Sequence, residues 1–230
     1  MRAELVVALD LRDAEEALRL AGKLIPVTPW MKVGLELFIL GGAPVIAKLK
    51  GMGGRVFLDL KFHDIPHTVG RAVAAAARAG ADMCDVHMDG GEAMCRAAVL
   101  AAKNASEGGF SCRLLGVTVL TSTAPAEAPG GDLQALAADY ARKAADWGLD
   151  GLVCSGHEAG AVKRASGGAL FCLCPGIRPA GAAENDQKRV CTPPEAARAG
   201  ADFLVVGRPV TEATDPVRAA LDIVSSYTQD

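Results

Sequence analysis

The chain has 230 residues, half of them hydrophobic, enough for one large core, and α/β barrels reach this size as a single domain. With 24 basic against 27 acidic residues, a formal net charge of -3 and 4% aromatics, neither nucleic acid nor an anionic membrane surface is favoured as a partner. Seven cysteines, an odd number with no repeated C-x-x-C, lack the spacing of a disulfide framework or a zinc knuckle and point to reduced, buried thiols in a cytoplasmic protein.

In chain order, the first run, "ELVVALD", ends at Asp10, too early for a signal peptide, and no later run approaches membrane-spanning length. "DAEEALRLAGKL" then has helical spacing. "WMKVGL" carries Lys32, and "RVFLDLK" carries Asp59 and Lys61. "DMCDVHM" ends near His87, and "CRLLGVTVL" reads as a strand ending at Thr121. "DLQALAADYARKAADWG" opens on an acidic cap and closes on Gly148, a helix. "GLVCS", "ALFCLCPG" and "ADFLVVGR" follow, the second leading through Pro175 and Gly176 to Arg178, the third ending at Gly207 and Arg208. Alternation puts Cys172 and Cys174 on one face of their strand. The phrases "AAARAGAD" and "EAARAGAD" both stop a helix at glycine before a new strand.

Eight strand signals alternate with helical stretches, and no proline-rich or charged linker divides them. Alternating β and α units imply parallel strands, because each crossover needs a helix. The expected fold is therefore a (β/α)8 TIM barrel, a single domain over residues 1–230. No G-x-G-x-x-G follows the first strand, which disfavours a dinucleotide-binding sheet.

A barrel puts its chemistry at the C-terminal ends of its strands, and the polar residues above fall there. Asp59 and Lys61, two apart, should leave the same face of their strand, and Asp64 lies beyond it in the turn before Pro66. Charges in or next to an apolar strand are costly to bury without a function. His63 and His67 have the spacing H-x-x-x-H, but Pro66 makes a continuous helix through His63 unfavourable, so no metal site is expected. Gly207 lets the backbone approach a phosphate and Arg208 adds a forked donor, while Arg178 and Gln187 lie on a long loop able to close over a ligand.

The segments "ALD" at 8–10, "KVG" at 32–34, "FLDLKFHDIPHTV" at 57–69, "VTVLTS" at 117–122, "CPGIRP" at 174–179 and "VVGRPVT" at 205–211 occur in order along nearly the whole chain. Together they resemble the orotidine 5'-phosphate decarboxylase family, which makes UMP in the last step of de novo pyrimidine nucleotide synthesis without a cofactor. The D-x-K-x-x-D core alone is shared with metal-dependent sugar-phosphate decarboxylases and aldolases, and a phosphate-binding barrel without chemistry is a further alternative. The "HDIP" continuation and the Gln187 and Arg208 pair narrow the resemblance to the orotidylate enzymes. It implies Lys61 as proton donor to C6 of the pyrimidine, with Asp59, Asp64 and Lys32 completing an alternating charge network. It also implies Asp10 and Lys32 at the ribose, Thr121 near the pyrimidine, and Pro175 and Arg178 in the ligand shell. Gln187, Gly207 and Arg208 would hold the phosphate. The family is homodimeric, so Asp64, Ile65 and Thr68 would reach the neighbouring subunit's site. Two positions depart from the family pattern: His67 stands where Asn is usual, and Cys174 where Thr is common.

Overall fold

A computed structural model describes residues 3–123, 131–179 and 189–228. Eight parallel strands form a closed barrel in sequence order: β1 (Glu4–Ala8), β2 (Trp30–Val33), β3 (Arg55–Phe62), β4 (Met83–His87), β5 (Arg113–Val117), β6 (Gly151–Val153), β7 (Phe171–Cys174) and β8 (Phe203–Val206), with β8 pairing back on β1. The helices are α1 (Ala14–Leu24), α2 (Leu35–Gly51), α3 (Pro66–Arg78), α4 (Gly91–Glu107), α5 (Leu133–Trp147), α6 (Ala159–Ala165), α7 (Pro193–Ala199), the short α8 (Arg208–Thr211) and α9 (Pro216–Thr228). The expected TIM barrel is thus the observed fold.

Local chemistry sets these boundaries. The Asp13 carboxylate accepts from the Glu16 amide at the start of α1, and Asp132 accepts from the Gln134 and Ala135 amides at the start of α5. α5 and α7 end on Gly148 (φ 89) and Gly200 (φ 102), left-handed conformations that a side chain would resist. The repeated "AGAD" phrase has a structural purpose beyond the helix stop. Asp82 and Asp202, each one residue before an even-numbered strand, accept the backbone amides of Val56 and Cys172 on the preceding odd strand, both at 2.7 Å. Asp150 does the same for Leu114, also at 2.7 Å. Three aspartates therefore close the N-terminal rim of the barrel and keep neighbouring strands in register.

Strand alternation divides the apolar residues into two cores. Val6, Trp30, Phe57, Met83, Leu115, Leu173 and Phe203 fill the barrel interior. Val7, Met31, Leu58, Cys84, Leu114, Cys172 and Cys174 face outward under the helices. Cys172 and Cys174 therefore share a face, and all seven cysteines are free and buried. One expectation needs correcting. β5 ends at Val117, not at Thr121: the Thr118 amide makes the last ladder bond to the Val153 carbonyl, at 3.1 Å, and the Thr118 hydroxyl turns onto that same carbonyl at 3.0 Å. The apolar, β-branched text "VTVL" continues a strand pattern that this turn interrupts, leaving Thr121 in the loop above the barrel.

Candidate active site

The interior apolar layer stops below the C-terminal mouth, and charged residues replace it in the same inward phase. Lys32 follows Trp30 on β2, Asp59 follows Phe57 on β3, and Asp85 follows Met83 on β4. Above them lies a cavity of about 590 Å³, floored by Ala8, Phe57, Val117, Leu173 and Val205. Asp10, Lys32, Asp59, Lys61, Thr121, Pro175, Arg178, Gly207 and Arg208 all line it, as expected for a barrel mouth. Asp64, Ile65 and Thr68 do not: they are exposed where α3 begins, and Asp64 accepts from the Ile65 amide at 2.6 Å. Gln187 lies outside the described residues.

Lys32 Nζ sits 3.0 Å from Asp10 Oδ1 and 3.2 Å from Asp59 Oδ2, while Lys61 Nζ bonds Asp59 Oδ1. The Lys32 and Asp59 side chains are only 11% and 12% exposed, so these charges meet in a medium where their attraction is strong. Burial alone would push the Asp59 pKa up; Lys32 and Lys61 outweigh it and pull the group down to about 2. Burial likewise works to lower the Lys32 pKa, and Asp59 with Asp10 overcomes it, so the net shift is upward. Asp59 is an anion and Lys32 a cation at any physiological pH. Gly34 is needed for this arrangement, since a Cβ there would lie 2.9 Å from Lys32 Nζ and 3.0 Å from Asp10 Oδ1.

Alternation alone does not deliver Lys61 to Asp59. Register shifts between Leu58 and Phe62: β3 spends four residues where β4 spends two, from Cys84 to Val86. Within this bulge Lys61 adopts φ 49, the sole positive φ at a non-glycine among the described residues. Its amide leaves the ladder and donates to Asp85 Oδ1 at 2.8 Å. Sequence reading passed over Asp85, although its phase with Met83 in "MCD" marks it as inward-facing.

A second group missed in the sequence ties the loops above the barrel together. The Arg189 guanidinium pairs with Glu158 at the foot of α6 and donates to the carbonyls of Val119 and Leu120, both at 3.0 Å. It thereby anchors the turn that presents Thr121. His63 stacks at 5.5 Å from His87, and His67 sits in the first turn of α3 beside a separate groove.

Comparisons over the whole chain identify its family. A family model described as "Orotidine 5'-phosphate decarboxylase / HUMPS family" matches residues 3–223. Proteins named orotidine 5'-phosphate decarboxylase are 53% identical in Nitratidesulfovibrio vulgaris (strain DP4), over 97% of both chains, and 45% identical in Streptococcus pneumoniae (strain ATCC 700669 / Spain 23F-1), over 98% of this chain and 97% of that one. The crystal structure of orotidine 5'-phosphate decarboxylase from Lactobacillus acidophilus covers all of both chains, with a TM-score of 0.84 at 34% identity. With a closed eight-stranded barrel, lysines and aspartates alternating at its mouth and relatives matched from end to end, this chain belongs to the orotidine 5'-phosphate decarboxylase / HUMPS family.

Proposed function

We propose that this chain decarboxylates orotidine 5'-phosphate to UMP and CO2, working in the cytoplasm as a homodimer. The observation that carries the reading is the partly buried Lys32–Asp59–Lys61 array at the mouth of the barrel, above an apolar floor wide enough for a nucleotide base.

Loss of CO2 from C6 leaves an electron pair in the plane of the pyrimidine ring, where the π system delocalises it poorly. The chain must therefore stabilise the developing carbanion with charges already in place. Lys61 is the fixed cation beside that carbon and then supplies the proton that completes UMP. Asp59 orients the Lys61 ammonium from one side, and Lys32 offsets the negative charge of Asp59 and Asp10 while facing the ribose. Thr121 approaches the base, Pro175 and Arg178 enclose the ligand, and Gly207, Arg208 and Gln187 hold the phosphate. Phosphate binding far from C6 favours the closed site and so contributes to the transition state. Asp64, Ile65 and Thr68 serve the partner's site. Their exposure and their absence from their own chain's cavity lining support this role. Leu35 and Ile39, one turn apart on α2, and Ile65 at the start of α3 expose apolar surface for such a partner to cover.

The test is the fall of orotidylate absorbance with UMP and CO2 as products. Lys61→Ala should abolish turnover, a loss of at least ~1,000-fold, while binding of UMP remains measurable by calorimetry. Near-normal turnover in that variant would remove Lys61 as proton donor. The family model also spans the HUMPS proteins. Abolition of activity by EDTA would move the chain toward a metal-dependent sugar-phosphate chemistry.

A further inference from the structure

Asp85 is fully buried on β4, and among the described residues the Lys61 amide is its one donor: Oδ1 accepts that bond at 2.8 Å, while Oδ2 is buried with no donor among them. Leaving a buried carboxylate oxygen unpaired is expensive. Asp59 faces the Asp85 carboxyl from the adjacent strand β3, in the same inward phase, and is a hydrogen-bonding neighbour of it. Two ionised carboxylates cannot bond each other, but an acid and a carboxylate can. Asp59 has lone pairs to spare after Lys32 and Lys61 have each taken one oxygen. On the β5 side Asp85 stands opposite Leu115, which is apolar; the charges acting on it are Asp59 and Lys61, both on β3.

We infer that Asp85 is a neutral carboxylic acid that positions the catalytic pair, accepting the Lys61 amide at the bulge and donating its own proton to Asp59. One side chain thereby does two jobs. It replaces the ladder bond that β3 gives up, holding Lys61 in a left-handed conformation that lysine otherwise avoids. It also fixes the rotation of the Asp59 carboxylate, so that one oxygen meets Lys61 and the other meets Lys32. Burial, and then the neighbouring Asp59 charge, keep the Asp85 carboxyl well above the usual carboxylate range, in accord with this state. The inference rests on the proposal that Asp59 and Lys61 carry the decarboxylation, but its first test does not.

Infrared difference spectra of the ligand-free enzyme against Asp85→Asn at neutral pH should show a protonated carboxyl band in the wild type that the variant lacks. Absence of that band overturns the inference. Asn keeps one acceptor and one donor in the same places. Asp85→Asn should therefore restore most of the kcat that Asp85→Ala loses, and that loss should be ~100-fold with a much smaller change in KM. An Asn variant as slow as the Ala variant would show that the anion is needed, and an Ala variant with wild-type kcat would show that nothing is being positioned; either result overturns the inference. Should Asp85→Ala fail to fold, the band and the rate of Asp85→Asn relative to wild type decide. Failure of the decarboxylase reading itself would appear as no UMP from the wild type, leaving the infrared result to stand by itself.

Discussion

Two aspartates side by side at the mouth of this barrel respond to pH with opposite sign. Asp59 is pulled down to about 2 from an unfolded value near ~3.9, so the stability it contributes is complete above that value and is lost as pH falls toward 2. Asp85 is raised. The unfolded chain ionises it from pH ~4 upward while the folded chain holds its proton, so stability falls as pH rises, until the folded group itself ionises. Replacing Asp85 with Asn removes this second effect. Asp85→Asn should therefore match the wild type in stability near pH 4 and gain on it as pH rises, by up to about 1.4 kcal/mol per unit, measured by urea unfolding across pH. A constant difference at all pH values would mean Asp85 is ionised in the fold. Gly34 sets a steric limit on the same network. Its backbone (φ -89, ψ -176) suits any residue, so Gly34→Ala should fold normally. The added methyl displaces Lys32 or Asp10, and kcat/KM should fall ~10-fold or more in steady-state assays.

At the scale of elements, what matters is where strands stop and how loops are held over the cavity. The strand pattern of β3 is legible because "RVFLDLK" alternates inward and outward residues, and that spacing places Asp59 and Lys61 near one another without accounting for the geometry by which they meet. The bulge that brings them together is not legible. It depends on Asp85, 24 residues later, supplying a hydrogen bond that β3 cannot make within its own ladder. The end of β5 was misread for a related reason: Thr118 turns its hydroxyl onto a carbonyl of β6, a partner that local text does not name. Arg189 belongs to the same class. Its charge lies in "QKRV", which reads as solvated surface, yet the side chain is 7% exposed and paired with a 4% exposed Glu158. Removing the arginine strands that carboxylate in the protein interior, so Arg189→Ala should cost about 3–5 kcal/mol, a fall in Tm on the order of 10 °C by calorimetry. The turn bearing Thr121 would lose its anchor as well, and KM should rise. Glu158→Gln with Arg189→Met, which removes both charges, should recover much of the stability but not the KM.

For the whole molecule, the barrel was readable because eight strand–helix units leave few other topologies, and because the polar residues cluster at one end of the strands. The proposed division of labour between subunits rests on an argument of a different kind. Asp64 follows the strand that carries Asp59 and Lys61 by only a few residues, yet Pro66 starts α3 at once and leaves Asp64 exposed outside its own cavity. In the proposed homodimer, a carboxylate in that place completes the alternating network across an interface with another copy, where a two-fold axis would make the exchange reciprocal. This gives a test that no single-chain reading can pass. Lys61→Ala and Asp64→Ala homodimers should each be nearly inactive. Mixed at equal amounts under conditions that exchange subunits, they form heterodimers in which one site pairs the intact Lys61 of one chain with the intact Asp64 of the other. Random exchange should then restore about a quarter of wild-type activity, since half the dimers are mixed and each mixed dimer has one intact site. If mixing restores nothing while native mass spectrometry shows that mixed dimers have formed, Asp64 acts in its own chain or not at all.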